Sequence, residues 1–349
     1  MSNSKTTPSP QVKKILVLLK DSIESQTQAL SLLEALDDEE ITKEIQSYIS
    51  IRHYRRTKQN SVANSTIYID KKYYHVSTNI VLFMQLLQMN LLSVPTVKEL
   101  QIANVTNEVL RDVCSYFIDL EHLSIRTYDS NHQSITVLPK ELELCTKLKS
   151  LEIYNQNSIT QFELTVPLPI TKFRADGLTN SQLDKLIPHM PNVTNLTCSR
   201  SYYRSQRLTT FPNCILKLKK LRKLAINNHY SINTIPSFIQ ELEHLRFLDL
   251  SNCPITSLPL FLSTMDQLTH INVSKTSIKY IPKPILLRTS LNIIQIDHNH
   301  DLIILNIPEF HRKVFRKNIT YYAIHPTNSR YRDLCILEEY SYRNRFDFR

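Results

Sequence analysis

Apolar residues recur along the middle of this chain with a spacing that suits neither a helix nor a lone strand. In LRFLDLSNCPITSLPLFLSTMDQL, residues 245–268, leucines fall at Leu245, Leu248 and Leu250, and the next copy starts at Leu268. The frame L-x-x-L-x-L-x-x-[NC]-x-L begins anew at Val97, Leu120, Leu148, Ile170, Val193, Leu221, Leu245, Leu268 and Leu291. The steps between these starts are 23, 28, 22, 23, 28, 24, 23 and 23 residues. Alternation at Leu248 and Leu250 predicts a short strand with both side chains turned inward. Ile255 and Leu258 follow at the corner, and Leu262 and Met265 face inward from the returning outer segment. One copy cannot bury that set alone. Stacked copies form a continuous core and line their strands up in a parallel sheet with rungs about 4.8 Å apart. The pattern predicts an α/β solenoid over residues 97–306, with eight full copies and a partial ninth.

The copies are not uniform. Two span 28 residues because TYDSNHQS and SRSYYRSQR are inserted at the strand-to-turn corner. At the ninth position Cys253, Thr276 and Asn299 suit a side chain that satisfies backbone groups inside the turn, whereas Val105 and Tyr128 do not. A regular C-terminal half and a looser N-terminal half are expected. Ahead of the repeats, residues 1–60 read as a helical region. Two helices are predicted within residues 21–50, one with Ala29, Leu32, Leu33 and Leu36 on its apolar face, the second capped by Asp37 with Glu40. RHYRR, residues 52–56, then follows the second helix's last turn and reads as a solvated helix end, with an anion or acidic-partner site as the alternative, and TKQNSVANS reads as a linker. Residues 61–96 read as a cap, with a hairpin in TIYIDKKYYHV and a helix from Ile80 to Leu92 covering the first edge strand.

The frame, with its Leu-Pro steps in ITVLPKEL, INTIPSFI, ITSLPLFL and IKYIPKPI, resembles the leucine-rich repeat family. The nearest subclass in pattern is that of bacterial and Ras-group intracellular repeat proteins. The resemblance implies a horseshoe with a parallel concave sheet, and a protein partner bound on that face, as in adaptors, signalling scaffolds or secreted effectors. It also raises an effector-type enzyme such as a ubiquitin ligase. That alternative needs a large catalytic domain with a reactive cysteine. Residues 307–349 hold Cys335 in DLCILEE, which matches no such motif.

Composition narrows the chemistry. The single glycine, Gly177, cannot supply a dinucleotide fingerprint, a P-loop, a kinase glycine-rich loop or a nucleophile elbow. No catalytic constellation is identifiable, no cofactor is implied, and a non-enzymatic role is expected. Six scattered cysteines form no C-x-x-C pair and read as reduced core residues of a cytoplasmic protein. DHNHD, residues 297–301, brings two imidazoles and two carboxylates together, but Asn299 fits the repeat turn and no further ligand is evident.

Net charge is +10, and residues 307–349 carry nine Lys/Arg against five Asp/Glu. This tail reads as a cap whose Arg residues face solvent. Its mixture of Arg, Lys, Tyr and Phe makes nucleic acid or anionic membrane a lesser alternative partner. Positions two, three, five, seven and eight of the frame should face away from the core, and together they carry ten basic and six acidic residues. Mixed signs fit a protein partner better than a phosphate backbone. The third-position column runs Lys223, Phe247, His270, Ile293, with two large apolar residues on an outward face. Together with Asp249, and with Tyr154 beside Glu152 and Arg174, these are the candidate contacts for one protein partner, bound by a monomer.

Overall fold

The computed structural model describes residues 8–53, 65–69, 72–76, 79–92, 96–126, 135–154, 159–200, 208–296 and 299. The chain divides into two compact units, residues 1–208 with 212–221, and residues 209–211 with 222–349.

The first unit opens with three helices, α1 (Pro10–Leu19), α2 (Ile23–Leu36) and α3 (Glu39–Gln46). Ser9 caps α1 with its hydroxyl and places Pro10 in the first turn, where a missing N–H costs nothing. The Ser9 amide and hydroxyl also donate to the Glu44 carboxylate at 2.7 and 2.9 Å, tying the start of α1 to α3. At the other end of α1, the Leu19 carbonyl accepts from Gln26 Nε2 and from the Tyr74 hydroxyl, each at 3.3 Å. The strands β1 (Ile49–His53), β2 (Ser65–Ile69) and β3 (Lys72–His75) form an antiparallel sheet in that order, and α4 (Ile80–Gln88) follows. Phe83 of α4 stacks on Phe117, with centroids 6.2 Å apart, at the end of the first repeat's outer helix.

The two helices expected within residues 21–50 are present as α2 and α3, and α1, which uses the apolar Ile15, Leu16 and Leu19 as a buried face, precedes them. Three expectations for this region are corrected. Asp38, not Asp37, caps α3 by accepting from the Glu40 and Ile41 amides, while Asp37 takes a left-handed φ of 42° that ends α2. The buried face of α2 is Gln26, Ala29, Leu30 and Leu33, leaving Leu32 and Leu36 exposed. Arg52 and His53 belong to strand β1, not to a helix end. The rest of RHYRR and most of the expected linker lie outside the described residues.

The repeats of the first unit supply β4 (Glu99–Ala103), β5 (His122–Arg126), β7 (Ser150–Tyr154), β9 (Lys172–Asp176) and β10 (Asn195–Ser199), all parallel. Register sets Leu100, Leu123, Leu151, Phe173 and Leu196 on one inward line, and every one is buried. A second short parallel pair, β6 (Val137–Leu138) and β8 (Gln161–Phe162), runs at the corners. The outer segments are α5 (Asn107–Tyr116), α6 (Asn180–Leu186) and 3-10 turns at Lys140–Leu144, Ile187–His189 and Asn213–Lys217. Arg111 of α5 bridges Glu141 at 3.0 Å and Glu163 at 2.7 Å, stapling three successive coils.

The second unit stacks β11 (Lys223–Asn227), β12 (Phe247–Asp249), β13 (His270–Asn272) and β14 (Ile293–Gln295) in parallel, with Leu224, Leu248, Ile271 and Ile294 in register beneath. Leu245, Leu248, Leu250, Ile255, Leu258, Leu262 and Met265 are all buried, which is the packing the frame predicts. Pro236, Pro259 and Pro282 each stand at the N-cap of an outer segment: 3-10 turns at Ser237–Glu241 and Leu260–Thr264, and α7 (Lys283–Leu286). The ring fixes φ where a helical turn begins and removes an amide that would find no partner there. This is the physical content of the Leu-Pro step.

The eighth position of the frame is not an outward strand position. Asn104, Gly177, Asn228, Asn252 and Lys275 all occupy it, and all have positive φ, between 53° and 85°. The strand must turn sharply there to enter the corner. Gly pays no steric cost for a left-handed backbone and Asn pays little. Asn252 Nδ2 also donates to Asn228 Oδ1 at 2.7 Å, so turn residues of successive coils are laddered. The ninth position works as expected in the last coils: Cys253 Sγ donates to the Ile226 carbonyl, and Asn299 accepts from the Thr276 amide at 2.7 Å while donating to the Val273 carbonyl at 2.8 Å. Asn299 is the one residue of DHNHD within the described set. The two corner inserts lie almost wholly outside that set, as does the C-terminal segment.

Candidate protein-binding faces

The second unit builds the predicted third-position column. Register pairs Lys223 with Phe247, Phe247 with His270, and His270 with Ile293, so the four side chains stand side by side on adjacent strands. Lys223 is exposed, and the other three are partly exposed. The Phe247 and His270 rings lie 5.9 Å apart, tilted by 34°. His270 Nδ1 is 2.7 Å from the Thr269 hydroxyl. Burial first, and then the Lys223 cation, hold the His270 imidazole below its usual range. It therefore serves as a neutral, flat extension of the Phe247 surface near neutral pH.

Arg222 and Arg246 flank this column at the second position and are exposed. The Arg222 carbonyl accepts from the Arg246 and Phe247 amides at 2.8 and 3.0 Å, so the two arginines are fixed on neighbouring strands. The fifth position is quieter. Asp249 is 3% exposed and is not presented on the face: its Oδ1 accepts from the Ser251 amide at 2.9 Å, and Oδ2 from Asn227 Nδ2 at 3.4 Å. Asn272 accepts from the Ser274 amide in the same way at 3.1 Å. Both are turn-forming side chains at the end of a strand.

In the first unit, Glu152, Tyr154 and Arg174 do come together. Glu152 pairs in register with Arg174, and Tyr154 with Arg126 on one side and Asp176 on the other. The Arg126 and Arg174 guanidinium carbons lie 4.4 and 5.0 Å from the Tyr154 ring centroid. The Tyr154 hydroxyl donates to Glu152 at 2.8 Å, and Arg174 Nε to Asp176 at 3.0 Å. Burial, aided by the Glu152 charge, pushes the Tyr154 phenol up to about 12, so it remains a donor. Burial also raises the Asp176 carboxyl, outweighing the neighbouring Arg174. Arg126 is the member that sequence reasoning did not attach to Tyr154. The available signal was that both occupy the seventh position of adjacent copies. Cations stacked on the tyrosine and internal hydrogen bonds make this cluster a polar network rather than an apolar anchor, with Asp176 Oδ1 left buried without a hydrogen-bond partner among the described residues.

The same unit neutralises its strand starts. Glu121 takes Lys98 at 2.8 Å and also Lys149, and these two hydrogen bonds hold its carboxyl down to about 2. The cysteines contribute packing: Cys114, Cys145, Cys198, Cys214 and Cys253 are buried free thiols, and burial raises Cys214 to about 12 and Cys253 to about 11. Cys214 and Cys253, held so far from ionisation, are poor nucleophiles.

Coils of 22 to 28 residues with in-register parallel strands, several of them with a left-handed corner and a helical return, have the leucine-rich repeat fold. No protein-family model matches the chain, and no curated protein does. Among solved structures it is similar to a leucine-rich repeat protein of Leptospira interrogans, at 17% identity over 66% of this chain and 60% of the other, with a TM-score of 0.41. It is also similar to InlP of Listeria monocytogenes, at 20% identity over 64% and 59% of the two chains, with a TM-score of 0.43. The similarity spans about three fifths of the length of each of these proteins.

Proposed function

We propose that this protein is a non-enzymatic interaction module that binds one protein partner on the sheet face of its second unit. It would act in the cytoplasm, or as an effector, in the manner of an adaptor or scaffold. The observation that supports this reading is the register-aligned column of Lys223, Phe247, His270 and Ile293. Large apolar side chains on an outward strand face, ringed by charge, are the composition of an interface centre with a polar rim. Asp249, spent on its own turn, is withdrawn from the contact set. The Tyr154 cluster is better suited to a rim than to an anchor.

The test is quantitative affinity capture from native lysate, comparing wild type with the double variant Phe247→Asp, Ile293→Asp. Thermal melting establishes that both are folded. A partner captured by the wild type should be lost from the double variant. Retention of every specific partner by a folded double variant overturns the reading.

A further inference from the structure

We propose that the occupant of the second unit's sheet face is an acidic protein segment with an apolar anchor. Its carboxylates engage Arg222, Lys223 and Arg246, while an apolar side chain seats on Phe247 and Ile293. This deepens the function proposed above and rests on it for the location of the face.

The argument is one of uncompensated charge. Arg222 and Lys223 at the start of β11, and Arg246 just before β12, are exposed, and among the described residues none of them has an ion-pair partner. Strand neighbours are only about 4.8 Å apart, so these three cations repel one another across the start of the sheet. The carboxylate that the strands themselves carry, Asp249, is buried and committed to the Ser251 amide and Asn227. The other described positions on the face, among them Asn227, Ser251, Thr269, His270, Asn272 and Gln295, are polar or weakly basic and supply no negative charge.

The first unit shows that the same architecture does pair its charges elsewhere. There Lys98 and Lys149 share Glu121, and Arg174 has Asp176. The second unit's face is therefore basic by placement rather than through the chain's overall charge. The C-terminal stretch 307–349 is a poor occupant on the same ground, because its own nine cations and five acids give it the same sign as the face. An external segment carrying Asp or Glu beside a large apolar residue meets both halves of the surface. The carboxylates relieve the repulsion, and the apolar residue covers the Phe247–His270–Ile293 column.

The experiment is selection of a displayed random peptide library on the full chain, followed by affinity measurement of the enriched peptides as synthetic probes. Three folded proteins are compared: wild type, Phe247→Asp, and Arg222→Glu with Arg246→Glu. The expected peptides carry Asp or Glu next to an apolar residue. They should weaken by about tenfold or more on either variant, and binding to the Arg222→Glu, Arg246→Glu variant should return when the peptide carboxylates are changed to Lys. That rescue also shows the variant retains its fold. Peptides that need Phe247 but carry no carboxylate, and ignore the arginine changes, overturn this inference and leave the proposed face standing. Peptides indifferent to both variants, or a selection that enriches nothing, count against both. Binding of a single-stranded oligonucleotide or of phosphatidylserine vesicles that requires the arginines and not Phe247 also overturns the inference.

Discussion

A left-handed backbone costs an ordinary L-residue about 1–2 kcal/mol, and asparagine or glycine less. This single preference explains why Asn104, Gly177, Asn228 and Asn252 stand where the strands end. Lys275 takes the same conformation at φ 56° without that excuse. Lys275→Asn should therefore raise stability by up to about 1 kcal/mol, while Asn252→Val should lower it by about 1–2 kcal/mol or more through strain and the lost bond to Asn228. Urea unfolding measures both. Arg288 presents a different residue-scale problem. It is 9% exposed, and its guanidinium donates to the carbonyls of Leu262 at 2.8 Å and of Met265, closing the open end of the preceding 3-10 turn. Arg288→Met keeps much of the volume but leaves both carbonyls without that donor, so a loss of about 1–3 kcal/mol is expected in the same assay. A midpoint unchanged from wild type would show that water replaces the guanidinium. The asparagine at the eighth position was visible in the sequence as a recurring letter. Its role was not, because the alternation that correctly marks Leu248 and Leu250 also runs on, wrongly, to make position eight a strand residue.

At the scale of elements, spacing identified the repeated strands and also the β2–β3 hairpin and α4, which occur once, but misjudged which face of α2 is buried. The strands and the Leu-Pro steps recur in several copies, so chance residues cannot hide their phase. The N-terminal helices occur singly. There, Leu32 and Leu36 looked suited to the buried face, and only packing against α1 selects Leu30 to stand with Leu33 in their place. Ladders across coils were equally hidden, since Lys98, Glu121 and Lys149 lie 23 and 28 residues apart and meet only through register. Their meeting has a pH consequence. Two lysines hold the Glu121 carboxyl at about 2 in the folded state, below its ordinary value of 4.5. The unfolded chain therefore binds this proton first. The contribution of Glu121 to stability is fully present above about pH 4.5 and is lost as pH falls through about 2. A carboxyl NMR titration should place Glu121 at the low value. Glu121→Gln should flatten the acid limb of the stability profile, and a normal titration midpoint would refute the ladder.

At the scale of the whole molecule, a net charge of +10 says only that anions are attracted somewhere. Counting signs over all outward positions gave a mixed face, and that average concealed the difference between the two units. In the first unit Glu121 takes Lys98 and Lys149 and Asp176 takes Arg174, leaving Lys172 exposed, whereas in the second Arg222, Lys223 and Arg246 all remain available to a partner. The difference sets how binding should respond to salt. Exposed cations act mainly before contact, by raising the encounter rate of an acidic segment, while the apolar column around Phe247 governs how long the complex lasts. At about 0.5 M salt the screening length falls well below 10 Å, so charges on a partner still one strand-width or more away are hardly felt. For a peptide selected on this face, stopped-flow or surface binding should show the association rate falling by about tenfold between low and high salt, with dissociation little changed. Phe247→Ala should do the reverse, accelerating dissociation while leaving the salt slope of association intact. If salt instead acted on dissociation alone, the cations would be buried contacts rather than steering charges. The face would then have to close over its partner's carboxylates.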